Sequence, residues 1–273
     1  GLQRAAGHEV AYFGTAHSHN PPLPLSEHFP SYIEMEPPPP GALGKARAVG
    51  RMLWSTSAQR GMEAVIEEWK PDVAHLHNVY HHLSPSILRP LRKHAVPVVM
   101  TLHDYKLACP TYQCLDHGRV CEACIGGKFQ NAVRRRCKDD SLAASAVAAA
   151  ELFVHTRTGA YDPVDLFICP SRFLAAKMRQ AGVFPERMRT IAHFVETSVA
   201  TKQEAGGPAL FVGRLSAEKG VDTLVEAMGL LSEARLVVAG EGPERARLQE
   251  QAERVAPGRV EFLGRVPKEQ VQD

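Results

Sequence analysis

In the stretch ALFVGRLSAEKGVDTLVEAM, residues 209–228, an apolar run ends at Gly213, then Arg214 and Lys219 precede a second run of apolar residues. Gly213 permits close backbone approach, and a helix N-terminus just beyond it offers unpaired N–H groups to an anion. The two cations complement each other, since a guanidinium grips phosphate oxygens in pairs and an ammonium acts as a point charge. The combination suits a diphosphate. Gly240 and Gly242, in AGEGP after the next apolar run, form a second turn of the same kind. Neither turn is a GxxxxGK loop followed by Ser or Thr, and no GxGxxG opens either half of the chain. On spacing alone, ordinary surface charges flanking a strand-to-helix turn explain Arg214 and Lys219 equally well.

Two further groups carry chemistry. Imidazoles and polar side chains gather in AHLHNVYHH, with His77 and Asn78 as the cleft-facing pair and His75, His81 and His82 read as structural or surface residues. His103 and Asp104 follow in TLHD. Five of the six cysteines fall between residues 106 and 140, and CEAC supplies half of a thiolate site. Cys109, Cys121, Cys124 and Cys137 complete a tetrahedral set at zinc-like spacing, with Cys114 or His117 as substitutes. A structural zinc knuckle is therefore expected, against unligated or disulfide-bonded cysteines, and Cys169, inside an apolar run, is expected in the core.

The elements that must hold these groups alternate between strands and helices, the pattern of a mostly parallel sheet covered on both faces. Strands are expected at HEVAYFG, DVAHLH, VPVVMTLH, VDLFICPS and RMRTIAHF, with helices over 43–69, 84–94, 141–157 and after Ser171, a plausible N-cap. A polar, Gly-ended stretch, 196–207, reads as a linker, and the alternation restarts with ALFVG, ARLVVAG and RVEFLG, separated by helices over 217–232 and 243–255. Two Rossmann-like domains follow: residues 1–203, carrying the Cys-rich insertion 106–140, and residues 204–273. Ligands of such sheets bind beyond the carboxyl ends of the strands, which selects His77, His103, Ser171, Gly213, Arg214, Gly240 and Gly242.

Composition narrows the function classes. A chain of 273 residues with 44% hydrophobic content and a net charge of +2 buries a substantial core and lacks the positive field that nucleic-acid binding requires. RRRCK, 134–138, reads as a solvated face. The apolar run LAASAVAAAELFV is broken by Glu151 and falls short of the roughly 20 residues of a membrane span. No secretory leader pattern opens the chain, and both ends look cut. A cytoplasmic protein is expected, with peripheral contact at the cytoplasmic membrane face.

The ordered motifs GHEV, PDVAHLHN, TLHDYKLACP, VDLFICPSRF, FVGRLSAEKGVDTLVEAM, LVVAGEGPERARLQ and RVEFLGRV resemble those of family 4 glycosyltransferases over essentially the whole chain. The resemblance implies the GT-B fold of two Rossmann-like domains, the C-terminal one incomplete here. It also implies transfer of a sugar from a nucleotide-diphosphate sugar to a hydroxyl acceptor with retention at the anomeric carbon and no catalytic metal. By the same resemblance Arg214 and Lys219 hold the donor diphosphate, and His103 lies beside the transferred sugar as a positioning group rather than a general base. Two features depart from the family: its first strand and Gly-rich loop are absent before GLQRAAGHEV, and the E-x7-E motif is not reached. This polypeptide is therefore expected to be inactive or nearly so by itself. Another enzyme on the same fold, such as an epimerase or phosphorylase, and a zinc-stabilised module binding an anionic partner are the alternative readings.

Overall fold

The protein is described by a computed structural model that covers residues 2–34, 39–194 and 206–267. The chain divides into two compact units, residues 1–195 and 196–273. The expected linker and the boundary at 203 fall largely outside the described residues.

The first unit opens with a single-turn helix, α1 (Leu2–Ala5), and continues through α2 (Gly41–Leu53), α3 (Thr56–Trp69), β1 (Ala74–His77), α4 (Leu88–Lys93) and β2 (Val98–Thr101). The Cys-rich segment holds a hairpin, β3 (Leu115–Asp116) and β4 (Arg119–Val120), and a short helix, α5 (Gln130–Arg134). Then come α6 (Leu142–Arg157), β5 (Leu166–Cys169), α7 (Arg172–Gln180) and β6 (Met188–Thr190). The main sheet is wholly parallel in the order β1-β2-β5-β6. Its core sets Val98, Met100, Phe167 and Cys169 between the helices, all fully buried, so Cys169 is a core residue as its apolar strand requires.

Two expected elements differ. HEVAYFG forms no strand: this stretch has only a nearby bridge, Ala16 with Ser31, and Phe13 instead packs edge-on against Phe29 at 5.5 Å. An apolar alternation makes a strand only where a neighbouring backbone pairs with it. The helix expected over 43–69 is split, because buried Ser55 accepts from Ala58 N at 3.2 Å and so caps α3 as a new start.

The second unit is β7 (Ala209–Val212), α8 (Val221–Gly229), β8 (Leu236–Ala239), α9 (Arg245–Val255) and β9 (Val260–Gly264), a parallel sheet in the order β7-β8-β9. Leu215, Val225, Met228, Leu236, Val238 and Leu248 form its core. No helix among the described residues is long and apolar enough to cross a membrane.

One buried ion pair organises the first unit. Lys106 Nζ donates to Glu151 Oε2 at 2.7 Å and to Pro110 O at 3.3 Å, with the two side chains 2% and 1% exposed. His81 Nδ1 stands 3.3 Å from the other carboxylate oxygen. Glu151, which interrupts the apolar run of α6, is thus the anchor of the loop after β2. Removing one member leaves an uncompensated buried charge, a loss of about 3–5 kcal/mol, whereas replacing both with apolar residues restores a neutral interior. Lys106→Met is accordingly expected to lose about 3–5 kcal/mol in urea unfolding, and Lys106→Met with Glu151→Leu to recover most of it. A single variant as stable as the parent would show that the pair contributes nothing.

Candidate active site

At the carboxyl ends of β7, β8 and β9 lies an open cavity of about 510 Å³ lined by Val212, Gly213, Arg214, Gly240, Glu241, Gly242, Pro243 and Arg265, among others. Backbone packs directly on backbone here. Gly213 N donates to Ala239 O at 3.0 Å and Gly240 N to Gly264 O at 2.7 Å. A Cβ on Gly240 would fall 1.8 Å from Gly213 O, and one on Gly242 would fall 2.2 Å from Leu215 O. Only glycine fits at these two positions, and the resulting wall presents main chain rather than side chains to the cavity. Arg214 and Arg265 bring two guanidinium groups to that wall. Glu241, the acidic lining residue, is ion-paired with Arg245.

Lys219 does not line this cavity. It ends a 3-10 turn, Ala217–Lys219, and Gly220 at φ 63° separates that turn from α8, so the helix expected from 217 begins at Val221. Lys219 and Arg214 both act on Glu218, whose carboxyl is held below its usual range by the Ser216 hydroxyl first and by these cations after it. The helix that follows the cavity wall is α9, two residues beyond Pro243.

In the first unit the strand ends collect imidazoles. His77 Nδ1 and His103 Nε2 are 2.9 Å apart, and the His103 ring stacks on His193 at 6.0 Å with the planes 16° apart. His75 Nε2 lies 2.8 Å from Thr101 Oγ1, so His75 is tied into the sheet rather than free. Asp104 accepts from Lys106 N at 2.9 Å through Oδ1, and burial raises its pKa. Its carboxylate is therefore committed to shaping the loop below His103. Asn78 sits at φ 47°, a left-handed conformation that asparagine tolerates, and turns the chain out of β1. Ser171 Oγ accepts from Leu174 N at 3.0 Å and caps α7. Of His77, Asn78, Asp104 and Ser171, His77 joins His103, and the other three also bond or shape the local backbone.

Cys109, Cys121, Cys124 and Cys137 line one small cavity together with Cys114. His117 is held instead by Asp116 at 2.7 Å and Asp140 at 3.6 Å. Sequence reasoning missed His193 and Arg265. Each lies just past a strand, β6 and β9, so the rule that selected His103 and Arg214 would have found both had it been applied to those strand ends.

The His77–His103 contact needs one nitrogen to donate and the other to accept, so it exists only while one of the two lacks a proton. Burial and then the neighbouring imidazoles hold His77 below the ordinary imidazole pKa; for His75 the causes are burial and then His103. A depressed folded-state pKa contributes stability that is present above the unfolded value, about 6.5, and is lost as pH falls below it. Melting temperature is expected to drop between about pH 7.5 and 5.5 in the parent, and to drop less in His77→Asn. Equal drops in the two proteins would remove the imidazole cluster as the cause.

Comparison with known proteins gives two family matches that together span the chain: Glycosyltransferase Family 4 over residues 1–199 and Glycosyl transferases group 1 over residues 199–273. A Klebsiella pneumoniae protein described as an uncharacterized 42.6 kDa protein in the cps region is 23% identical over 235 residues, 83% of this chain and 56% of its own length. Among solved structures, Anabaena Alr3699/HepE in complex with UDP is similar at 16% identity and TM-score 0.47, covering 77% of this chain and 52% of that one. The lipopolysaccharide outer core galactosyltransferase WaaB, in its apo form, is similar at 14% identity and TM-score 0.42, covering 84% of this chain and 51% of that one. The chain spans about half the length of each of these proteins. Matched over residues 1–199, the chain belongs to Glycosyltransferase Family 4.

Proposed function

We propose that this chain belongs to an enzyme that moves a sugar from a nucleotide-diphosphate donor to a hydroxyl acceptor, with retention of the anomeric configuration. The observation that carries the reading is the glycine-walled cavity with Arg214 and Arg265 at its rim, within the range of about 300–1,000 Å³ typical of small-molecule sites. Main-chain groups approach a ligand closely there, and two guanidinium groups can neutralise a departing diphosphate without reorganising. Lys219 is a third, outlying cation. In retaining transfer the leaving phosphate takes the acceptor proton, so no side-chain base is assigned. His103 positions the transferred sugar, and its hydrogen bond to His77 and its stacking on His193 orient the ring. No metal has a part in this chemistry. The acceptor is read as a hydroxyl of a glycan, a lipid-linked molecule or a small molecule, with peripheral contact at the cytoplasmic membrane face.

Calorimetric titration of nucleoside diphosphates into the full chain tests the donor site. Charge-assisted hydrogen bonds are worth about 1.5–3 kcal/mol, so Arg214→Ala and Arg265→Ala should each weaken diphosphate binding about ten- to a hundredfold while nucleoside binding changes little. Lys219→Ala should cost less, and Arg214→Lys should restore only part of the affinity. Diphosphate affinity unchanged in Arg214→Ala and Arg265→Ala would overturn the donor-site reading. For His103, the readout is turnover of a labelled nucleotide sugar by the longest active form of the protein. His103→Ala should lower it strongly at nearly constant nucleotide affinity, and parental turnover would return His103 to a structural role.

A further inference from the structure

The sugar-transfer reading leaves five cysteines unused. Cys109, Cys114, Cys121, Cys124 and Cys137 come from separate turns yet line a single cavity of about 10 Å³, and all are free thiols. Cys114 and Cys121 flank the β3–β4 hairpin, where Cys121 N donates to Cys114 O at 2.8 Å. Cys121 precedes, and Cys124 lies within, a turn closed by Ile125 N on Glu122 O at 3.1 Å. Cys137 follows α5 with its N–H on Ala132 O, and Cys109 donates to Tyr105 O at 2.8 Å. Such a void is about the size of one water and has no room for an organic ligand.

The segment carries little apolar material of its own. Cys124, Phe129 and Ala132, with Val133 and Cys137 packed beside them, meet Ala149 and Leu152 of α6, and only Leu107 and Ala108 of the same segment reach the main core. Chains of fewer than about 40 residues that fold alone ordinarily need a disulfide or metal staple, and this segment has little beyond its contact with α6. We propose that Cys109, Cys121, Cys124 and Cys137 bind one zinc ion as thiolates, with Cys114 outside the ligand set. Four Zn–S bonds form as four thiol protons pass to solvent. Among the described residues, the triplets of ligand atoms mutually within 4.8 Å are Glu27–His28–Glu68 and Glu63–Glu67–His94, not the thiols. The sulfurs therefore close on the ion by rotating about Cα–Cβ, which leaves the turns in place. The site is structural. Through Cys109 N on Tyr105 O it braces the loop that carries His103 and Asp104.

The test is elemental analysis of the full chain purified under reducing conditions, followed by cobalt(II) titration after chelation. About one zinc per chain is expected, and cobalt should give the thiolate charge-transfer and tetrahedral bands of a sulfur-ligated site. Cys121→Ser and Cys124→Ser should lose both signals, while Cys114→Ser and Cys169→Ser should keep them. If the ligand variants do not fold, the cobalt spectrum of the parent decides alone. Metal-free protein without those cobalt bands, bands surviving in Cys121→Ser and Cys124→Ser, or a mass two units lower per cysteine pair, as for disulfides, would each overturn the proposal. Diphosphate binding in the second unit is independent of all these outcomes.

Discussion

The first unit depends on a charge that has nowhere else to go. Glu151 lies on the inward side of α6, a helix rich in alanines and aliphatics, and its carboxylate is tolerable there because Lys106 and His81 reach it. Lys106 belongs to the loop after β2 and also holds Pro110 O, so the pair fixes α6, that loop and the entry to the Cys-rich segment in one contact. His103 and Asp104 stand immediately before this anchor. The exposed imidazole therefore rests on a loop whose underside is set by a buried pair.

The second unit solves the same problem without charge. Its strand ends are placed by glycines that let one main chain lie against the next, Gly240 on Gly213 and Gly242 on Leu215. The cations stand outside this wall and are exposed, which suits groups that meet a charged ligand arriving from water. One unit thus presents imidazoles on a side-chain network, and the other presents guanidinium groups on bare backbone.

Much of this was legible in the sequence. Alternating apolar runs and capping residues located β1, β2 and β5 to β9 and marked Ser171 as the cap of α7. The strand-end rule picked out His77, His103, Gly213, Arg214, Gly240 and Gly242. What failed, failed for nonlocal reasons. The alternation in HEVAYFG carries no information about whether a partner strand lies beside it. Ser55 reads as an ordinary polar residue until its burial makes it a cap. Asn78 and Asp104 also have backbone roles that their types alone do not disclose, a left-handed turn out of β1 and a hydrogen bond from Lys106 N. Glu151 read only as an interruption of an apolar run, since its partner lies 45 residues away in sequence.

The register of β2 on β5, Val99 beside Leu166, sets a kinetic asymmetry between the two units. That pair closes only after residues 102–165, with the whole Cys-rich segment and α6, have been brought into a loop. In the second unit β7 meets β8, and β8 meets β9, across a single helix each. Closing a longer loop costs little in final stability, because the entropy grows only with the logarithm of length, but pairings distant in sequence slow the search for them. The smaller sheet is therefore the faster to assemble. The larger sheet waits on its insertion, and any bond that draws the turns of that insertion together shortens the wait.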